Sequence, residues 1–299
     1  MENKFDPMKK LIVLFSLILI SAVKSTAQES RTDKKLKEKI ESAIAGYSGD
    51  IGVYVKDLKT GRVVAINADT IFPTASIVKV PILVGVMSRI NKGELGYDSS
   101  LVYTDSLFYS DADILGSFKS GATIPVKKLI MLMLTTSDNT ASLWLQSLAG
   151  GGTSINETMQ GLGFENTRVN SRTPGRENNK AKYGWGQTTP REMGTLFEMI
   201  YNKKVIGDAE SVRMQRCLGR NFWDQEEAIS RFPPTIEVFS KNGCVDASRS
   251  EAMIVNAKKH PFVFCVFTKN NKDRSWNYNN EAWTLARNLA DILWARYGG

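Results

Sequence analysis

The chain has 299 residues, 42% of them apolar and 23% charged, with a formal net charge of +8. These values predict a globular protein with a sizeable core and exclude a disordered or low-complexity chain. The only histidine is His260, and the three cysteines lie far apart. Zinc sites usually take several His or Cys ligands at short spacing, so we expect no metal and no cofactor. His260 sits in an expected exposed turn, which argues against a Ser-His-Asp hydrolase.

The basic residues are scattered along the chain and form no stripe interleaved with aromatic residues. We therefore expect no nucleic-acid partner. The odd number of cysteines leaves at least one thiol unpaired within the chain. The apolar, strand-like setting of Cys265 favours buried thiols over a disulfide framework.

The N-terminal segment has the pattern of a secretory signal peptide. Three lysines precede an apolar run over residues 11–20 that only Ser16 interrupts, and Ser25 and Ala27 then have the spacing of a signal peptidase site. We expect a leader over residues 1–27 that is cleaved after Ala27. The mature protein would be exported across the inner membrane to the periplasm or the medium, without a stable membrane anchor. An uncleaved amphipathic anchor is the alternative.

The predicted elements begin with a helix over residues 33–46 and a hairpin of two strands over 51–55 and 62–66. Helical periodicity extends from about residue 74 to 150, most clearly over 126–134, and an irregular polar stretch occupies 169–187. The remaining predicted elements are a helix that begins at 188–192, strands at 236–240, 252–256 and 262–268, and a helix at 281–296.

Strands at both ends of the chain with helices between them predict an α/β fold of two lobes. An antiparallel sheet flanked by helices would form from residues 30–74 and 220–299. An all-helical lobe would form from residues 75–219. We therefore expect residues 28–299 to be a single domain.

Three short motifs follow one another along the chain: Ser76-Ile77-Val78-Lys79, Ser137-Asp138-Asn139 and Lys241-Asn242-Gly243. Each is weak alone, since Ser-x-x-Lys also occurs at residues 21–24 and Lys-x-Gly occurs four times. Context separates them, because only the Lys-x-Gly at residue 241 lies at the end of one predicted strand and leads into another. The order and the setting of the three motifs together point to one site.

The first motif is suited to nucleophilic catalysis without histidine. Ser76 and Lys79 are one helical turn apart, so their side chains share a face at the start of a predicted helix. The positive end of the helix dipole favours an anion that develops there. A lysine that is desolvated beside another cation can be neutral near pH 7 and accept the serine proton. The alternative is that Ser76 is a helix cap and Lys79 a solvated charge.

The other two motifs supply proton transfer and substrate contacts. Ser137 can relay a proton to a leaving nitrogen, and Lys241 can hold both Ser137 and a substrate carboxylate. The amide of Asn139 can hydrogen-bond an acylamino side chain.

With these motifs the sequence resembles class A serine beta-lactamases and the wider family of penicillin-recognising serine hydrolases. The segments Phe72-Pro73-Thr74-Ala75, Asp138-Asn139-Thr140-Ala141 and Thr188-Thr189-Pro190 are similar to the family at matching separations. The resemblance covers nearly the whole mature chain. It implies a beta-lactamase/transpeptidase-like fold with its site between the lobes.

The resemblance also implies a role for each matching residue. Ser76 would be the acylated nucleophile, with Lys79 and Ser137 as proton carriers. Asn139 and the segment Lys241-Asn242-Gly243-Cys244 would bind the substrate. The backbone amides of Ser76 and Cys244 would form the oxyanion hole.

The chain departs from the family in the loop before Thr188. Class A beta-lactamases carry there a glutamate that activates the deacylating water, and its position falls on Thr173, followed by a matching Pro174. Threonine cannot act as a general base near pH 7. Glu177 falls where the family has an asparagine, and our hypothesis is that Glu177 activates the same water from its other side. The alternative is that Glu177 is a solvent-exposed loop carboxylate beside Arg176.

Three further departures concern the third motif and the nucleophile helix. Lys-Thr-Gly has become Lys-Asn-Gly, so a hydroxyl that recognises carboxylate is replaced by the amide of Asn242. Arg249 can supply a second cation toward a substrate carboxylate, although we expect it to pair with Glu251. Pro81 is expected in the second turn of the nucleophile helix, where it would remove one backbone hydrogen bond.

These observations predict a secreted, monomeric serine hydrolase that forms an acyl-enzyme on Ser76 and hydrolyses beta-lactams. One alternative is a related hydrolase of D-alanyl peptides or esters that releases lactams slowly. The other is a penicillin-recognising or structural domain that acylates without turnover or not at all. Thr173 is the residue that separates the first expectation from the second.

Overall fold

The computed structural model describes residues 32–219, 222, 223 and 225–298. The predicted leader over residues 1–27 lies outside them. Within the described residues no helix is long and apolar enough to cross a membrane.

The strands are β1 (Asp50–Asp57), β2 (Val63–Ile66), β3 (Phe72–Pro73), β4 (Ser100–Val102), β5 (Thr123–Pro125), β6 (Arg168–Val169), β7 (Gly186–Thr188), β8 (Val238–Val245), β9 (Ser248–Val255) and β10 (Phe262–Lys269). Five of them form the main sheet in the order β2-β1-β10-β9-β8, with every neighbouring pair antiparallel. The predicted α/β class is therefore confirmed, with a sheet built from both ends of the chain.

The helices are α1 (Lys34–Ile44), α2 (Lys79–Asn91), α3 (Val126–Thr135), α4 (Asn139–Leu148), α5 (Gly151–Gly161), α6 (Glu177–Tyr183), α7 (Pro190–Tyr201), α8 (Asp208–Leu218) and α9 (Glu281–Tyr297). Four 3₁₀ turns lie at Ala75–Val78, Asp105–Leu107, Leu115–Ser117 and Ala228–Arg231.

Both faces of the main sheet are covered. Along β10, Phe262, Phe264 and Val266 join a core with α1 and α9, while Val263 and Cys265 join the larger core shared with the other helices. A strand with both faces buried has a continuous apolar run, which is what the sequence shows here. The sheet is thus the middle layer of the lobe, and its edge strand β8 is the one that borders the helical part.

Helix α2 lies at the centre of the helical part, with apolar side chains buried around its whole circumference. Gly85 lets α5 approach closely, since a Cβ there would lie 2.7 Å from Ile155 Cγ1. Pro81 is the third residue of α2, because the α-helix begins only at Lys79. Because the 3₁₀ turn Ala75–Val78 leads directly into α2, its carbonyls precede Pro81, and Pro81 lacks the N–H that would continue this backbone bonding.

Long-range packing sets the position of two further elements. Lys241 and Gly243 do not end a strand but lie within β8, because β8 continues its pairing with β9 to Val245 and Ser248. Helix α7, which the sequence assigns to the helical lobe, packs on the sheet, where a Cβ on Gly194 would lie 2.6 Å from Tyr54 Cδ1. Local periodicity does not report either contact.

Candidate active site

Ser76 lies on a tight turn, and Lys79 is the first residue of the α-helix that follows it. The segment Ala75–Val78 is a 3₁₀ turn that leads into α2 at Lys79. Because a 3₁₀ helix has three residues per turn, the side chains at positions i and i+3 eclipse. Lys79 Nζ lies 3.0 Å from Ser76 Oγ. The turn therefore places the Ser76 hydroxyl and the Lys79 amine within direct proton-transfer distance.

The Lys79 amine is enclosed by the second motif. Its Nζ lies 2.5 Å from Ser137 O, 2.9 Å from Ser137 Oγ and 2.8 Å from Asn139 Oδ1, and the side chain has no exposed surface. A neutral amine has two N–H donors and one lone pair. The two carbonyl oxygens take the donors, so the lone pair is left to accept a proton from a hydroxyl.

Ser137 itself and Ala75, the neighbour of Ser76, have strained backbones. Ser137 has φ +60° and Ala75 has φ +42°, values that non-glycine residues rarely adopt. At Ser137 this conformation turns both the carbonyl and the hydroxyl toward Lys79. Such strain persists only where the surrounding contacts over-determine it.

Buried carboxylates hold the second motif in place. Asp138 caps α4 by accepting from Ala141 N at 2.7 Å, and it also accepts from Leu115 N at 2.8 Å. Asp113 accepts from the amides of Asn139 and Thr140 at 3.0 and 2.8 Å. The two carboxylates therefore fix the backbone on either side of the Ser137–Asn139 turn.

The surroundings of Lys79 lower its pKa well below the ordinary lysine value. Desolvation by burial is the largest cause and the charge of Lys241 the second, while the carboxylates of Asp113 and Asp138 act in the opposite direction. The sequence predicted both causes. An amine with a depressed pKa can act as a general base at neutral pH.

The third motif holds a buried chain of polar contacts. Lys241 Nζ donates to Asn242 Oδ1 at 2.8 Å, and Asn242 Nδ2 donates to Glu227 Oε1 at 2.7 Å. The Cys244 thiol contacts the same carboxylate oxygen at 3.4 Å. Burial, and then the charge of Glu227, raise the pKa of Cys244, so the thiol stays protonated. The structure shows Cys217, Cys244 and Cys265 as free thiols.

Glu227 is the site residue that sequence reasoning missed. Its side chain is buried beside β8, although it lies 15 residues from Asn242 in the chain. No motif or periodicity marks it, because only the tertiary fold brings the segment before the Ala228–Arg231 turn against β8.

Gly243 sets how closely β8 approaches the nucleophile. A Cβ at this position would lie 2.2 Å from Thr74 O and 3.0 Å from Ser76 N. The backbone of β8 therefore runs directly against the Ser76 turn, with the Cys244 amide next along the strand. This placement suits the predicted oxyanion hole, in which two amides point at one oxygen.

Thr173 and Glu177, the two loop residues considered for deacylation, make their contacts outside the group formed by the three motifs. Thr173 is buried, with its hydroxyl donating to Ser171 O at 3.0 Å and packed against Gly152. Glu177 is exposed at the start of α6, where its carboxylate accepts from Gly175 N at 3.1 Å. The described residues that line the cavities around Ser76 do not include Glu177. The structure therefore does not bring Glu177 together with Ser76.

Two cavities flank Ser76 and share Asn139 and Cys244 as lining residues. One, of about 560 Å³, extends past Ser137 and Asn242. The other, of about 610 Å³, extends past Lys182 to Lys269 and is walled by α6 and the residues after it. Ser76 thus lies in a groove that is open on both sides, with room for a substrate group on each.

The side chains of Arg249 and His260 contact residues other than those of the three motifs. The Arg249 guanidinium stacks 4.1 Å from the Trp276 ring centre and donates to Ser275 O, rather than making the expected pair with Glu251. His260 lies in the turn between β9 and β10, where its Nδ1 contacts Asp57 Oδ2 at 2.9 Å. The imidazole is thus occupied at the end of the strands opposite to Gly243.

The fold and the site together are those of a serine hydrolase in which a buried lysine lies beside the serine. Comparison with known proteins agrees, since the profile of the beta-lactamase enzyme family matches residues 35–297. The chain therefore belongs to the beta-lactamase enzyme family.

Individual relatives are distant. The chain is 27% identical over 199 residues to the beta-lactamase VEB-1 of Pseudomonas aeruginosa, an alignment that covers 65% of this chain and 66% of VEB-1. It is 21% identical over 279 residues to the extended-spectrum beta-lactamase PER-1 of the same organism, which covers 89% of each chain. The solved structure of PBP-A superposes with a TM-score of 0.78 at 22% identity, covering 89% of this chain and 97% of that one.

Proposed function

We propose that the protein hydrolyses the amide bond of beta-lactams through an acyl-enzyme on Ser76. The observation that carries the proposal is the buried Lys79 amine, which is held between Ser76 and Ser137 with its pKa depressed. The names of the relatives VEB-1 and PER-1 support the substrate class.

In acylation, Lys79 Nζ accepts the proton of Ser76 as Oγ attacks the lactam carbonyl carbon. The amides of Ser76 and Cys244 stabilise the negative charge on the carbonyl oxygen. As the lactam C–N bond breaks, the Ser137 hydroxyl gives its proton to the nitrogen and recovers one from Lys79. These transfers leave an ester on Ser76 and a neutral Lys79.

In deacylation, a water molecule adds to the ester carbonyl and the Ser76 Oγ–carbon bond breaks. The water gives up one proton to a base, and Ser76 Oγ regains one. This step needs a base. Glu177, the carboxylate that the sequence suggested for it, faces solvent, and Thr173, at the position of the family's glutamate, packs against Gly152 of α5.

That observation favours a second candidate, in which the acyl group leaves slowly. The protein would then be a penicillin-binding or D-alanyl peptidase-like enzyme. Solved structures of this fold include an acyl-enzyme complex of a PBP-A mutant with penicillin G.

One assay separates the two candidates. The protein is incubated with a chromogenic lactam and the absorbance is recorded over time. The mass of the intact protein is then measured by mass spectrometry. Sustained turnover supports hydrolysis, whereas one equivalent of colour with a stable adduct on Ser76 supports slow release. Ser76→Ala is the control for both. Wild-type protein that forms neither product nor adduct would refute acylation altogether.

We further propose that the protein acts after export, as a monomer. The support for export is the leader pattern over residues 1–27. N-terminal sequencing of the exported protein tests cleavage after Ala27, and light scattering tests the monomer. An uncleaved N-terminus, or a dimer at assay concentration, would contradict the respective proposal.

A further inference from the structure

Aromatic rings wall the cavity on the Ser137 side of the nucleophile. Phe222, Trp223 and Trp276 all line it and are 67%, 53% and 58% exposed. Exposed aromatic side chains that converge on a cleft are a binding feature rather than core packing. The chemistry described above uses none of these rings.

Backbone contacts hold one wall of this cavity close to Ser137. Phe222 N donates to Thr135 O at 2.9 Å, and Trp223 Nε1 donates to Thr136 O at 3.0 Å. The rings of Phe222 and Trp223 stand perpendicular to each other with their centres 5.0 Å apart. The acceptors are the two residues that directly precede Ser137, so the rings are positioned relative to the proton relay.

A second part of the cavity wall is fixed as well. Trp276 Nε1 donates to Asp246 Oδ1 at 2.9 Å, and the Arg249 guanidinium stacks on the Trp276 ring. Trp283 lies edge-on to Trp276, with ring centres 5.9 Å apart. The two aromatic walls are held by independent contacts, so they form a slot whose position is fixed.

The cavity does not end at these rings. A further space of about 330 Å³ adjoins it. The two share the lining residues Ala112, Asp113, Thr136, Phe222 and Trp223, and the further space reaches Ile114 and Asp138. The groove therefore has room for a group that extends well beyond a fused lactam ring.

The position of Ser137 indicates which part of the substrate enters the aromatic cavity. It lines this cavity and not the one past Lys182. On the proposed function, Ser137 gives its proton to the leaving nitrogen, so the group attached to that nitrogen occupies the aromatic cavity.

We propose that this cavity is a subsite for a planar aromatic group carried by the leaving part of the substrate. Aromatic rings gain most from offset or edge-to-face contacts with other rings, and this slot offers both. Substrates with such a group would bind and acylate faster than substrates with a small group at the same place.

The test compares two cephalosporins that differ only in the substituent on the six-membered ring, methyl in one and an aryl-vinyl group in the other. The ratio of their kcat/KM values is measured for wild type, Trp223→Ala and Trp223→Phe. Dividing the variant ratio by the wild-type ratio cancels the intrinsic reactivity of the two substrates. We expect Trp223→Ala to lower the preference for the aryl substrate about tenfold, mainly through KM, and Trp223→Phe to retain most of it.

Tyr109→Ala is the matched control, because Tyr109 is also exposed (47%) but lines the other cavity. It should leave the ratio unchanged. An unchanged ratio in Trp223→Ala and in Trp276→Ala, with both proteins folded by circular dichroism, would overturn the subsite.

A second readout keeps this inference separate from the proposed function. If the wild-type protein acylates with neither substrate, the proposed function fails. The dissociation constants of the two compounds are then measured by calorimetry on Ser76→Ala, with and without Trp223→Ala. Weaker binding of the aryl compound alone in the double variant supports the subsite, and equal affinities refute it.

Discussion

Gly243→Ala tests whether close contact between β8 and the Ser76 turn builds the oxyanion hole. The added Cβ would lie 2.2 Å from Thr74 O, whereas ordinary contact begins at 3.4 Å. The strand and the turn must therefore separate by about 1.2 Å, and neither neighbour is a flexible side chain that could yield. The Cys244 amide would move with the strand.

A displacement of about 1 Å in a reacting group can cost about 100-fold in rate, and loss of one oxyanion donor costs about 100- to 1,000-fold. We therefore expect the acylation rate of Gly243→Ala to fall by about 100- to 1,000-fold. Overpacking of this kind also costs about 1–3 kcal/mol of stability, which leaves the protein folded. The rate is measured by stopped-flow with a chromogenic lactam, and the fold by thermal unfolding.

Gly161→Ala is the matched control. Gly161 lies in α5, where an added Cβ would have nothing within 4 Å and the backbone has no positive φ. The same substitution there should leave the acylation rate unchanged and stability unchanged or slightly higher. Folded Gly243→Ala that acylates within about threefold of wild type would refute the reasoning.

The other predictions concern proton transfer, the second motif and deacylation. Lys241→Met removes the charge that lowers the Lys79 pKa, so we expect that pKa to rise. Because less of the Lys79 amine is then neutral at a given pH, the acid limb of the acylation pH–rate profile should move to higher pH. A limb that stays in place or moves to lower pH would contradict this sign. Asp138→Ala loses the cap of α4 and should lower the free energy of unfolding by about 1–2 kcal/mol in urea titrations; an unchanged midpoint would show that the cap contributes nothing. Glu177→Gln should leave the lifetime of the acyl-enzyme unchanged by mass spectrometry, since its carboxylate contacts only its own loop among the described residues, and a longer lifetime would restore it as the base.

Much of the fold is encoded in local pattern. The helix cap at Thr189, with Pro190 in the first turn, starts α7 where the sequence predicts it. The strand predicted over residues 262–268 is β10, since its continuous apolar run suits a strand buried on both faces. The short strands β3, β6 and β7 were not predicted, because pairings of two or three residues carry no periodicity of their own.

The sequence by itself determined which residues can react. Lys79 follows Ser76 by three positions, and this spacing puts both on one face of any right-handed turn. The tertiary structure decided the state of those residues. Burial of Lys79 near Lys241, the contact of Glu227 with Asn242, and the packing of Thr173 against Gly152 all join segments far apart in the chain. Desolvation and charge interactions depend on distance in space, so no local pattern could report them.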